Sequence, residues 1–370
     1  MRVRAAVLRE MGRPAPYAAS APLDVCELEL DGPGPGELLV RVRAAGLCHS
    51  DLSVIDGSRP RVMPMALGHE AAGEVVDVGP GVSGFAAGDH VALAFVPVCG
   101  RCTPCLDGRS ALCEPGAAAN AAGTLLGGGM RWGDGVHHHL GVSAFADHIV
   151  VSAASAVQVP ADLDPAIAAL FGCAVLTGVG AVVNAARPRV GESVAVFGLG
   201  GVGLSAVLGA VVAGAGTIVA VDVIPSKLAL ARELGATVAI PAGEDAVAAV
   251  REATGGGADH VIETVGNAAV LAQAYEATRR GGQTVTVGLP HPQQLLQIPA
   301  VSLTAEERIL RGSYLGSCVP ARDIPRFVEL YRGGRLPVDR LLTHRIPLEE
   351  INEGFDRLAS GEAVRQVVLP

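Results

Sequence analysis

Ser193-Val194-Ala195-Val196-Phe197 runs directly into Gly198-Leu199-Gly200-Gly201-Val202-Gly203, and these eleven residues decide how the rest of the chain is read. The apolar run reads as a buried strand, and the small-residue stretch Leu204–Ala213 reads as a helix. In a G-x-G-x-x-G turn, the first glycine (Gly198) permits the tight reversal and the second (Gly200) lets a pyrophosphate approach the backbone. The third (Gly203) lets strand and helix pack closely, and the loop, which includes Gly201 and Val202, leads into a helix whose N-terminal amides favour an anion. A glycine-rich chain produces such spacings by chance; here the strand-turn-helix context gives the motif meaning. The next strand, Thr217–Asp222, ends in an acid about 20 residues on, where a carboxylate accepts from both ribose hydroxyls of an adenosine and repels a 2′-phosphate. That favours NAD over NADP. Lys227, the only lysine in the chain, follows near the expected adenosine edge.

The same texture continues downstream, with apolar strands at Thr237–Ile240, His260–Val265 and Gln283–Val287 alternating with helices, as buried parallel strands do. The helix Ser226–Leu234 is expected to be capped by Ser226 and ended by Gly235, and the Ala-rich run Asp164–Asn184 reads as one helix. Upstream of Pro160 the pattern changes to short β-like runs, Leu38–Ala44, Ala72–Val78, His90–Val96 and Ala146–Val151, punctuated by Gly and Pro clusters. The tail carries two helix candidates, Ala321–Tyr331 and Leu348–Ser360, and a closing strand Arg365–Leu369. With 370 residues there is room for roughly two domains, so an α/β chain with a mostly β first part is expected.

Half the residues are hydrophobic but only 3% are aromatic, so the cores must be built from Ala, Val and Leu. A formal charge of −9 with no basic block leaves no attraction for a phosphate backbone, and the apolar stretches are too interrupted for a membrane span. The expectation is a soluble, unexported, cytoplasmic protein with neither nucleic acid nor membrane as partner.

Four of the eight cysteines fall together as Cys99-x2-Cys102-x2-Cys105-x7-Cys113. In a reducing compartment this spacing points to metal, and four thiolates with no open position make a structural zinc site. An iron–sulfur cluster is disfavoured, because the bacterial ferredoxin run has its fourth cysteine after three residues and then proline; here seven residues intervene and Glu114 follows. A dispersed set, Cys48, His69 and Cys173, has the composition of a catalytic zinc site if the fold gathers it, although each alone reads as an ordinary buried side chain. His137-His138-His139 reads as a solvated loop, because three consecutive side chains do not converge on one ion.

Taken in order, Cys48-His49-Ser50-Asp51, Gly68-His69-Glu70, the four-cysteine lobe, Gly172-Cys173, Gly198–Gly203 with Asp222, and Gly361-Glu362-x-x-Arg365 resemble the zinc-dependent medium-chain alcohol dehydrogenases over nearly the whole chain. The resemblance implies a GroES-like, mostly β catalytic domain over 1–175 with the structural lobe at 99–113, a Rossmann doubly wound parallel-sheet domain over 176–317, and a return to the catalytic domain over 318–370. It implies two zinc ions per chain, the catalytic one on Cys48, His69 and Cys173 with Glu70 close by. It further implies that Ser50 takes the alcohol proton toward the nicotinamide ribose and that His49 and Arg365 lie near the pyrophosphate. Thr177 and Val287 are expected along the cofactor, and Phe95 and Leu289 along the substrate or nicotinamide pocket. Several relatives continue the proton relay with a histidine three residues after the serine; this chain has Ser53 there, which leaves His49 or water to serve.

The reading is therefore an NAD-dependent interconversion of a primary or aromatic alcohol and its aldehyde, with a thiol-adduct (formaldehyde) dehydrogenase as the rival. Arg59 and Arg61 could partly hold a carboxylated thiol. A non-catalytic nucleotide-binding redox sensor is the alternative of another class, opposed by the joint presence of Cys48, Ser50, His69, Glu70 and Cys173. The long segment between Cys113 and Cys173 implies, by resemblance, a homodimer, with the region Gln283–Ile298 as the expected contact.

Overall fold

A computed structural model describes residues 1–370, and the chain divides into two compact units: Met1–Cys173 with Val319–Glu329 and Leu342–Pro370, and Ala174–Cys318 with Leu330–Leu341.

The first unit is built on strands β1 (Arg2–Leu8), β2 (Leu23–Glu29), β3 (Glu37–Gly46), β4 (Met65–Ala66), β5 (Glu70–Val78), β6 (His90–Leu93), β7 (His137–His138), β8 (His148–Ser152) and β9 (Ala156–Gln158). The second unit holds β10 (Ser193–Phe197), β11 (Thr217–Asp222), β12 (Val238–Pro241), β13 (Ala258–Glu263), β14 (Thr278–Thr286) and β15 (Ile309–Gly312). Two closing strands, β16 (Leu342–Pro347) and β17 (Arg365–Leu369), rejoin the first unit, where β17 pairs antiparallel with β3.

In the first unit, β2-β1-β4-β7 form one sheet and β16-β17-β3-β5-β6-β9, with β8 on β3, form another. Alternation along β3 buries Val40 and Val42 while Arg41 and Arg43 face out, which is why a chain so poor in aromatics closes a core on aliphatic side chains. In the second unit the order is β12-β11-β10-β13-β14-β15, parallel throughout. The order of strand addition reverses between β10 and β13: β11 and β12 lie on one side of β10, and β13, β14 and β15 on the other. That is the switch point at which open α/β sheets bind ligands, beyond the carboxyl ends of the strands.

Several expectations are corrected. The helix after β11 spans Pro225–Glu233 and is preceded by Ile224, so Ser226 lies inside it and caps nothing; Pro225 needs no amide hydrogen there. Gly235 does adopt φ +111 beyond its end. The run 164–184 is not one helix: Pro165–Leu170 and Ala174–Gly180 are separated by a turn, and a π-helical segment, Ala181–Ala186, follows. A side chain at Gly172 would overlap the Leu93 carbonyl, so the chain passes there closer to β6 than a continuous helix allows. Residues 330–341, read with the returning tail, cluster with the second unit.

Candidate active site and metal centres

Cys48 immediately precedes the short helix His49–Ile55, His69 sits in the three-residue gap between β4 and β5, and Cys173 closes the turn after Pro165–Leu170. The fold brings all three together: their ligand atoms lie within 4.8 Å of one another, each residue is buried, and no fourth histidine, cysteine or carboxylate joins them at that distance. Both ring nitrogens of His69 are buried without a hydrogen bond, and a buried polar atom left so costs about 1–3 kcal/mol. Two thiols and an imidazole with one position left over suit zinc in a catalytic setting. The two sulfurs share a proton: contact with the Cys173 thiol, helped by His69, holds Cys48 well below the usual thiol range, while Cys48 and burial push Cys173 up.

Asp51, in the first turn of the same helix, places Oδ2 3.0 Å from His69 Nδ1, which leaves Nε2 as the nitrogen available to a metal. Burial alone would push the Asp51 carboxyl up, but His69 and His139 outweigh it and hold it below its ordinary range. The Phe95 ring stands edge-on to His69 at 5.4 Å. Glu70 is buried next to the trio with Oε2 3.7 Å from Arg365 Nη1, and Arg365 also donates to the Leu47 carbonyl at 3.1 Å. Ser50 is partly exposed in the first helical turn, and His49 is exposed beside it. The Ser53 hydroxyl is committed to the Ser50 carbonyl at 2.9 Å, so the residue standing in the relay position donates to backbone.

The four-cysteine lobe also converges, all four sulfurs lying within 4.8 Å of one another. Backbone amides of Cys99 and Gly116 point at the Cys113 sulfur (3.2 and 3.4 Å) and that of Cys102 at the Cys99 sulfur (3.4 Å), so the backbone favours thiolates there. The amide of Arg101 and its neighbours bring Cys99 down to about 6, whereas burial and the other sulfurs push Cys105 up to about 12. A metal takes all four as thiolates and releases the protons they hold.

In the second unit, a side chain at Gly203 would strike the Gly198 carbonyl, whereas one at Gly200 would meet nothing within 4 Å, as expected where a phosphate approaches. Asp222 accepts from the Leu199 amide at 2.6 Å and the Ile224 amide at 2.9 Å, so it braces the glycine loop from the end of β11. Lys227 is mostly buried in the following helix, and its pKa is lowered by that burial. Thr177 is buried in the helix Ala174–Gly180. The Val287 amide donates to the Glu263 carbonyl at 2.9 Å, and Leu289 is exposed on this unit.

One expectation fails here. His137–His139 is not a solvated loop: His138 and His139 are buried, His138 accepting from the Arg131 amide at 3.1 Å and His139 Nδ1 lying 3.0 Å from Asp51 Oδ1. Burial brings His138 down to about 3, which keeps it neutral. Pairing of β7 with β4, seventy residues upstream, draws the run inside. Sequence reading also assigned Asp51 no role; its only signal was the three-residue spacing from Cys48, one turn of helix.

Comparison with known proteins agrees with this geometry. Residues 34–161 match the alcohol dehydrogenase GroES-like domain and residues 201–332 the zinc-binding dehydrogenase domain. An NDMA-dependent alcohol dehydrogenase from Amycolatopsis methanolica is 39% identical over 100% of this chain and 99% of its own length. The chain belongs to the zinc-dependent medium-chain alcohol dehydrogenases. An S-(hydroxymethyl)glutathione dehydrogenase from Paracoccus denitrificans is 36% identical over all of both chains. The crystal structure of benzyl alcohol dehydrogenase from Acinetobacter calcoaceticus superposes with a TM-score of 0.93 at 33% identity, covering 100% of this chain and 99% of that one. As a medium-chain alcohol dehydrogenase, this chain is a zinc-dependent oxidoreductase of small alcohols and aldehydes, and none of its helices is long and apolar enough to cross a membrane.

Proposed function

We propose that this chain interconverts a primary or aromatic alcohol and its aldehyde with NAD as hydride acceptor and donor, holding one zinc on Cys48, His69 and Cys173 and a second on Cys99, Cys102, Cys105 and Cys113. The observation that carries the reading is the buried convergence of two thiols and one imidazole with no fourth protein ligand. Zinc in such a set supplies Lewis acidity, which lets an alcohol hydroxyl give up its proton near neutral pH. Ser50 takes that proton at its Oγ. Because Ser53 donates to backbone, the onward path is through His49, exposed beside it. Glu70 and Arg365 neutralise each other behind the thiols, and Phe95 keeps water off one edge of His69. The amides at Gly200–Gly203 would hold the pyrophosphate. Asp222 would accept the ribose hydroxyls, near Lys227, while Thr177 and Val287 line the nicotinamide end and Leu289 the substrate side.

A homodimer is proposed as well, supported by the open edge of the parallel sheet at β15 and the apolar Leu295, Val301 and Ile309 exposed beside it. Cysteines gathered into two candidate metal sets suit a reducing, cytoplasmic setting.

The test is an alcohol and aldehyde panel with NAD and with NADP, with and without added thiol and with NDMA as alternative acceptor, on chains of measured zinc content. Native chain is expected to carry two zinc ions and turn over with NAD alone. Cys173→Ala should carry one, lose turnover and still bind NAD. Equal activity in Cys173→Ala removes the catalytic-zinc assignment. Turnover only with added thiol selects the adduct reaction, as the glutathione-adduct relatives suggest.

A further inference from the structure

His139 plays no part in the chemistry above, yet it is buried in the first unit. Strand β7 pairs in parallel with β4, Ala66 opposite His138, so His139 emerges alongside Leu67 and Gly68. The turn that follows is stitched back onto this segment: the Ala144 amide donates to the Gly68 carbonyl at 2.9 Å and the Phe145 amide to the Leu67 carbonyl at 3.0 Å. Within the turn, the His139 amide donates to Ser143 Oγ at 2.8 Å, and its carbonyl accepts from Val142 and Ser143. The segment that carries the ligand His69 and the segment that carries His139 are therefore one backbone framework.

Both rings meet the same carboxylate. Asp51 is fully buried; Oδ2 lies 3.0 Å from His69 Nδ1, while Oδ1 lies 3.0 Å from His139 Nδ1 and 3.1 Å from the Gly68 amide. The two imidazoles stand edge to face at 5.5 Å. His139 and the Gly68 amide both meet Oδ1, opposite the oxygen that faces His69, so that side of the carboxylate has two contacts where the amide alone would give one. The second contact narrows the rotation about Cβ–Cγ that would tilt His69. A buried imidazole costs free energy that a phenyl ring of similar size would not, so the nitrogen is present for its contact.

We propose that His139 is a positioning residue for the three-ligand metal centre: it clamps Asp51 from the far side, so that Asp51 holds His69 with Nε2 toward Cys48 and Cys173. This rests on the zinc-site reading above. It predicts that His139 governs how long the metal stays, because partners behind a metal-bound histidine typically change metal affinity by about 10–100-fold.

The test is zinc release to a chelating dye from the fully loaded chain, followed in native protein, Cys173→Ala, His139→Phe and His139→Asn. The release phase that Cys173→Ala abolishes belongs to the three-ligand centre. In His139→Phe that phase should quicken on the order of 10-fold, with the four-cysteine phase unmoved, and a cobalt-loaded sample should show a shifted visible band. His139→Asn, which can offer an amide N–H where Nδ1 stands, should return both close to native values. His139→Leu replaces His139→Phe if the latter does not fold. A native release rate in His139→Phe overturns the proposal, as does equal quickening in Phe and Asn variants, which would make His139 a packing residue. A third zinc in native chain that His139→Phe removes also overturns it, since His139 would then be a ligand. If Cys173→Ala keeps both phases, the zinc-site reading itself falls, a failure visible before any His139 variant is measured.

Discussion

Asp222 shows what one carboxylate can be asked to do. Its two oxygens are already engaged by the amides of Leu199 and Ile224, so it fixes the glycine loop before any nucleotide arrives, and each oxygen keeps a lone pair for a further donor. Asp222→Ala is expected to weaken NAD about 10-fold, roughly one charge-assisted hydrogen bond, and to narrow the preference over NADP, read as the ratio of kcat/KM for the two cofactors. An unchanged ratio would count against the ribose role. Asp222 was legible because strand, glycine loop and acid come in chain order. Cys48, His69 and Cys173 were legible as residue types; their convergence entered through the family resemblance. His139 was not legible at all: a histidine in a glycine-rich stretch is solvated or sealed according to which strand it pairs with, and β4 lies seventy residues away.

Among the elements, Asp259 ties the starts of β10 and β13 together. It accepts from the Ser193 amide at 2.8 Å and the Ser193 hydroxyl at 2.6 Å and pairs with Arg279, which brings its carboxyl down to about 2 against burial. The ordinary unfolded value is about 3.9, so the unfolded chain binds more protons between the two values. The stabilisation, about 2 kcal/mol, is thus complete above the unfolded value and is lost as pH falls toward 2. Asp259→Asn should unfold at lower urea than native chain at pH 7, and the gap should close by pH 2; a gap independent of pH would sink the assignment. Strand positions were readable because apolar runs in a parallel sheet are continuous, and β10, β11 and β17 match their expected limits. Helix limits were less so. The break at Gly172 arises from its approach to the Leu93 carbonyl, a contact that an Ala-rich run gives no hint of, and without it Cys173 would sit in mid-helix.

For the whole molecule, the parallel sheet of the second unit ends on β15, where Ile309 is 52% exposed, with Val301 nearby in sequence 72% exposed. An uncovered edge with apolar neighbours invites pairing with another chain. The expected contact region Gln283–Ile298 begins in β14, the strand that pairs with β15 at this edge. Light scattering should give twice the chain mass, and Val301→Lys combined with Ile309→Lys should give the monomer with zinc content unchanged. A native tetramer, or a double variant that stays dimeric, would contradict this arrangement.

The two metal centres differ in how far their ligands lie apart along the chain. Cys99 and Cys113 are separated by 14 residues, Cys48 and Cys173 by 125. Closing the longer loop costs about 2 kcal/mol more, at about 0.6 kcal/mol for each doubling. If each set takes a zinc as proposed, the lobe has all its ligands once Cys113 is made. The other centre must wait for residue 173. In a cell short of zinc, the first ion would go to the fold and only the second to the chemistry, so newly made enzyme would accumulate well shaped and idle.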